Sequence, residues 1–205
     1  MIAYKLTNQD QTTHEGCKWT VGEWKETNGD GALCGPGWLH AYTDPLLAVL
    51  LNPFHARLPN PRLWEAEVKG KCQEANDFKV GYTQMRLTRE LEPHKFTVAQ
   101  IVHCAILCAK LSRSTAKWKK WANQWLNGKD RSKHAADKAA NEASGPAEYA
   151  ATIAAKSAAS LDKTEGILEE SLLSTVMSET ASRAEFRALR ARITALVRRA
   201  CKKEQ

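Results

Sequence analysis

The sequence predicts an α+β protein, with a small mixed α/β N-terminal domain over residues 1–95 and an all-α antiparallel helical bundle over 96–205. Three observations carry that expectation. Short apolar segments of period two, broken by Gly and Pro turns, crowd the first half. Helix caps and three-four apolar spacing fill the second. Charge divides at the same place: residues 1–95 hold 11 Lys+Arg against 12 Asp+Glu, and residues 96–205 hold 19 against 11.

In the first half, Ile2–Leu6, Lys18–Val21, Leu63–Val68, Lys79–Tyr82 and Met85–Thr88 read as half-buried strands. Asn28-Gly29-Asp30-Gly31 and Gly35-Pro36-Gly37 are turn signals, and Pro53, Pro59 and Pro61 keep residues 52–62 irregular. One helix is expected from Asp44 to about Leu51. Asp44 suits the N-cap and Pro45 the first turn, while Leu46, Leu47, Val49 and Leu50 offer a face to bury.

In the second half, Thr97 with Gln100 forms a capping box that opens a helix to about Leu111, with Phe96 and Ile101 placed as a hydrophobic staple. A helix over 114–127 stops at Gly128. An alanine-rich tract over 134–160 has helical spacing and breaks at Gly145-Pro146, and residues 161–181 continue an amphipathic pattern. Ser182 with Glu185 caps a last helix to about Lys202, whose expected seam is Phe186, Leu189, Ile193, Leu196 and Ala200.

Composition narrows the class. No apolar run approaches the roughly 20 residues of a membrane span. The start, Met1-Ile2-Ala3-Tyr4-Lys5, has no basic segment leading into an apolar one, which predicts no secretory signal. Cys17, Cys34, Cys72, Cys104, Cys108 and Cys201 lack paired spacings and read as reduced thiols. The expectation is a protein of the cytoplasm of a bacterial host, without membrane association and with no cofactor.

Candidate chemistry concentrates in the basic half. Trp118, Trp121 and Trp125 fall at i, i+3, i+7 and share a helix face among Lys110, Arg113, Lys117, Lys119, Lys120, Lys129, Arg131 and Lys133. That pattern suits an aromatic platform in a positive groove, or a buried stripe with a solvated lysine rim. Arg183, Arg187, Arg190, Arg192, Arg198 and Arg199 line the last helix as a second anion-binding or partner-binding face, or as a soluble basic face offset by the acidic residues of 162–179. His103, Cys104 and Cys108 could share a metal but lack further ligands, so buried thiols are the expectation. Cys34 with His40 suggests a nucleophile and base without an orienting acid. Glu65 and Glu67 share a strand face and read as an acid–base pair or an exposed strand face. No catalytic set emerges, and the expectation is a non-enzymatic protein.

The stretch Leu33-Cys34-Gly35-Pro36-Gly37-Trp38-Leu39-His40-Ala41, with Asp44-Pro45-Leu46-Leu47 and Trp64-Glu65-Ala66-Glu67-Val68, resembles an uncharacterised family of small proteins from bacteriophages and other mobile elements. Its members open with an Ala-Tyr-Lys strand, as in Ala3-Tyr4-Lys5, and trail into alanine-rich helices. The resemblance implies an anti-defence protein that binds and inhibits a host protein or nucleoprotein complex, such as a CRISPR effector. The alternative is direct binding of nucleic acid or nucleotide by the basic half. A second resemblance, to ADP-ribosyltransferase-like folds, rests on His40, Glu65 and Glu67. Gly37-Trp38-Leu39-His40 is one residue longer than that turn, and Tyr4-Lys5 stands where a first-strand Arg or His is expected.

Overall fold

The computed structural model describes residues 1–74, 79–111, 114–159 and 183–203. They form two units, Met1–Lys95 and Phe96–Gln205. The expected amphipathic segment 161–181 and the Ser182 cap lie outside the described residues.

The first unit is not the mixed α/β domain expected. It is mostly one five-stranded antiparallel sheet: β1 (Ile2–Thr7), β4 (Arg62–Glu74), β5 (Val80–Leu91) and β2 (Lys25–Glu26) in that order, with β3 (Leu39–Ala41) also on β5. Two short helices, α1 (Pro45–Leu50) and α2 (Asn52–His55), accompany it. The difference arises because segments read as separate strands fuse into a long hairpin. Lys79–Tyr82 and Met85–Thr88 are parts of β5, which pairs along β4 from Leu63↔Leu91 to Glu74↔Val80. Register shifts at Glu65/Ala66 and Lys69/Cys72 absorb the breaks in alternation. Lys18–Val21 is no strand; it contributes isolated bridges at Thr12↔Lys18 and Val21↔Leu87.

Alternation on β4 explains its burial from Trp64 to Val68, with Leu63 buried out of phase. Leu63, Trp64, Ala66 and Val68 are buried, whereas Glu65 and Glu67 face outward into ion pairs with Arg89 (3.0 Å) and Arg86 (2.6 Å). Ala3, Trp19, Leu39, Ala41, Val80, Tyr82, Met85 and Leu87 complete this core. Asp44 caps α1, accepting from the Leu46 and Leu47 amides at 2.9 and 3.4 Å. The Gly35-Pro36-Gly37 turn needs its second glycine, since a Cβ on Gly37 would meet the Asp30 carbonyl oxygen at 2.1 Å.

The second unit is helical in its described residues, with α3 (Val98–Ala109), α4 (Ala116–Leu126), α5 (Lys133–Asn141), α6 (Pro146–Ala159) and a C-terminal helix, Arg183–Lys203. The antiparallel bundle expected for it is not what these helices show. Packing follows chain order only in part: α5 lies against α6 and α4, whereas α3 packs chiefly against α6 and the C-terminal helix. The alanines of α5 and α6 allow close approach, with Ala136, Ala139, Ala147, Ala150, Ala151, Ala154 and Ala155 all buried, but they supply no continuous large-residue seam.

Local signals hold in this unit. Thr97 and Gln100 make the reciprocal capping box, and the Gln100 Nε2 also donates to the Cys201 carbonyl at 3.2 Å. One side chain thus closes a cap and ties α3 to the C-terminal helix. Thr115 and Ser132 cap α4 and α5, and Gly128 takes the left-handed conformation (φ 71°) just past α4. On the C-terminal helix, Ile193, Val197 and Cys201 are buried and Leu196 is half-buried. The seam therefore steps in fours, one residue away from the expected Leu196. The expected seam residues Phe186, Leu189 and Ala200 have side chains outside the description.

Candidate anion-binding site

Helix α4 divides its residues by period. Trp118, Trp121, Ala122, Trp125 and Leu126 are buried, while Lys117, Lys119 and Lys120 are exposed. The tryptophans meet in series, Trp118 on Trp121 at 5.7 Å between centroids and Trp121 on Trp125 at 5.8 Å, both tilted. Their exposures of 1%, 6% and 6% leave no open face on which a base could stack, which corrects the reading of an aromatic platform. They are the interior on which the lysines stand.

Two of the indole N–H groups are treated differently. Trp118 Nε1 donates to the Ala147 carbonyl at 2.8 Å, binding α4 to the start of α6. Trp121 Nε1 is buried and has no hydrogen-bond partner among the described residues. A buried donor left without an acceptor costs about 1–3 kcal/mol, so it calls for a physical account.

Trp121 also lines a cleft between α4 and α5 of about 390 Å³. Lys117, Lys120 and Gln124 border it from α4, and Lys138 with Ala135 and Ala139 from α5. Glu142, just past α5, is its one carboxylate, 4.0 Å from the Lys117 ammonium. Lys120 and Lys138 have no ion-pair partner among the described residues. The cleft can therefore hold an anion by charge and by hydrogen bonds. Lys117, Lys120 and Gln124 stand at i, i+3, i+7, a stripe legible in the sequence beside the tryptophans. Lys138 and Glu142 escaped sequence reasoning because only the packing of α5 on α4 brings them there.

The second basic face is described in part. Arg192, Arg198 and Arg199 are exposed on the C-terminal helix, whereas the side chains of Arg183, Arg187 and Arg190 lie outside the description. Lys129, Arg131 and Lys133 are exposed around α4 and α5, and Lys133 pairs with Asp137.

The other candidates find structural roles. Burial raises the Cys104 thiol far above its ordinary range, with Cys108 and Cys201 nearby adding to the rise, and burial alone pushes Cys108 up to about 12. Both stay protonated, so they are poor metal ligands and poor nucleophiles. Among the described residues no three His, Cys, Asp or Glu side chains could hold a metal together. The His40 ring bonds the Leu33 carbonyl, and the exposed Cys34 receives its hydrogen bond from Lys79 at 3.3 Å. Glu65 and Glu67 are bound into cross-strand pairs with arginines, as a solvated strand face would be.

Sequence reasoning also passed over Lys5. It is 8% exposed on β1, donates to the His40 carbonyl at 2.7 Å and lies 4.8 Å from the Trp19 ring centroid. Burial lowers its pKa to about 8, against a smaller upward push from Cys17.

The class defined by these features is a two-unit protein, an antiparallel sheet and a basic helical unit with an anion-suited cleft. Residues 1–99 match the model of a family described as a domain of unknown function, DUF7666. That similarity spans the sheet unit and the opening of α3, and it says nothing about activity. No curated protein and no solved structure matches the chain. No helix among the described residues is long and apolar enough to cross a membrane.

Proposed function

We propose that this chain is a non-enzymatic binding protein whose helical unit presents a basic surface to a polyanionic or acidic partner in the bacterial cytoplasm. The observation that carries the reading is the division of α4, where Lys117, Lys119 and Lys120 are exposed over a tryptophan interior. Exposed ammoniums on a rigid support attract a polyanion at long range and hold it through released counterions. Arg192, Arg198 and Arg199 extend the same sign of charge on another helix. The narrower partner, a host defence or nucleoprotein complex, is the one that the resemblance to mobile-element proteins supports. Nucleic acid bound without base stacking is the second reading, and it uses the same lysines as backbone contacts.

The experiment is a pull-down from bacterial lysate with and without nuclease, beside binding to heparin and to DNA at rising salt. The reading expects retention of a partner and an affinity that falls steeply with salt. Lys119→Glu with Lys129→Glu, both exposed and outside the cleft, is expected to weaken polyanion binding at least tenfold with the melting temperature unchanged. Salt-insensitive binding, or no loss in that variant, would refute the surface.

A further inference from the structure

We infer that the cleft between α4 and α5 binds a phosphomonoester group, with the Lys117, Lys120 and Lys138 ammoniums supplying charge and the Trp121 indole N–H supplying a directed hydrogen bond. The inference rests on the reading of the helical unit as an anion-binding surface, and names the ligand of one site on it.

Charge comes first. Three ammoniums and the Glu142 carboxylate leave the cleft at net +2. A carboxylate or a phosphodiester brings one negative charge, whereas a phosphomonoester above its second ionisation, near pH 6, brings close to two. Lysine is a point-charge phosphate ligand, and three of them impose no planar geometry that would favour a carboxylate. Glu142 opposes any anion, but it sits 4.0 Å from Lys117 in a pair with 81% and 36% exposed side chains. Such a pair is weak, so Lys117 can exchange that carboxylate for phosphate.

The second observation is independent of charge. Trp121 is 6% exposed, lines the cleft, and has an N–H with no acceptor among the described residues. Buried donors are almost always partnered. A phosphate oxygen would complete this one, reached by rotation of the long side chains of Lys117, Lys120 or Gln124 that share the wall. At about 390 Å³ the cleft exceeds a lone phosphate and falls within the range of small-ligand sites, roughly 300–1,000 Å³, which leaves room for an organic ester group beside Ala135 and Ala139.

The test titrates the full chain with phenyl phosphate at constant ionic strength. The indole N–H resonance of Trp121, assigned through Trp121→Phe, is followed by ¹⁵N NMR. A saturable shift is expected, at least several-fold weaker with the singly charged phenyl sulfate, and weaker at pH 5 than at pH 7.5. Lys120→Gln with Lys138→Gln is expected to weaken binding at least tenfold, and Glu142→Gln to tighten it. These three side chains are exposed, so the fold is expected to survive. An unmoved Trp121 resonance, equal affinity for phenyl sulfate, or no response to Glu142→Gln overturns the inference. Salt-dependent heparin binding that survives Lys120→Gln with Lys138→Gln, alongside an unmoved Trp121, refutes the cleft and leaves the surface reading standing. A saturating phenyl phosphate shift without heparin binding does the reverse.

Discussion

Lys5 makes the sheet unit's stability depend on pH in a direction opposite to that of most proteins in alkali. Its ammonium is held in the sheet core beside the His40 carbonyl, the Trp19 indole face and Cys17, and burial lowers its pKa from 10.5 to about 8. At neutral pH both the folded and the unfolded chain carry the proton, so the full desolvation cost opposes folding. As pH rises through 8 the folded state releases the proton while the unfolded state keeps it until about 10.5. The unfolded chain then binds more protons, and stability climbs. At 1.36 kcal/mol per unit, the shift amounts to about 3 kcal/mol in all, of which about 1 kcal/mol returns between pH 7 and 9. The buried thiols act the other way. With pKa values raised in the folded state, Cys104 and Cys108 subtract stability once unfolded thiols ionise, near pH 9. Urea unfolding of wild type and Lys5→Met at pH 7, 8, 9 and 10 separates the two, since the thiol contribution cancels in the difference. The wild type is expected to gain on the variant by about 1 kcal/mol from pH 7 to 9. A difference that stays flat within about 0.5 kcal/mol would mean that Lys5 is solvated and the burial argument is wrong.

Other expectations follow from single contacts. Ile193→Ala, at a fully buried position, is expected to cost about 2–5 kcal/mol in chemical denaturation, while the half-buried Leu196→Ala costs about 1 kcal/mol; the reverse order would place the seam of the C-terminal helix wrongly. Asp44→Ala removes a buried acceptor shared by two amides and should lower stability by about 1–2 kcal/mol, with Asp44→Asn recovering most of it. Gly37→Ala forces a methyl onto the Asp30 carbonyl and is expected to lower the melting temperature by several degrees, whereas Gly128→Ala, with open space around it, pays only the left-handed backbone strain.

What the sequence revealed was governed by distance along the chain. Asp44, Thr97 with Gln100, Gly128 and Gly145-Pro146 act within four residues of themselves, and each does in the structure what local rules say it should. The sheet was harder to read because strand identity depends on partners. β3 and β2 are three and two residues long and exist as strands through pairing with β5. Lys18–Val21 has the better strand composition and pairs only through isolated bridges. On the C-terminal helix an ideal three-four alternation points to Leu196. In the structure Ile193, Val197 and Cys201 are buried instead, on a helix that packs against α3, with Gln100 bonded to Cys201. The candidate site shows the same division. The tryptophan and lysine stripes of α4 were both legible, yet which stripe faces inward decides between a stacking platform and a charged surface on an aromatic core. Burial decides it for the core. That choice turns the tryptophans from a ligand surface into the support that fixes where the lysines stand, and leaves Trp121 with a buried indole N–H that has no partner among the described residues.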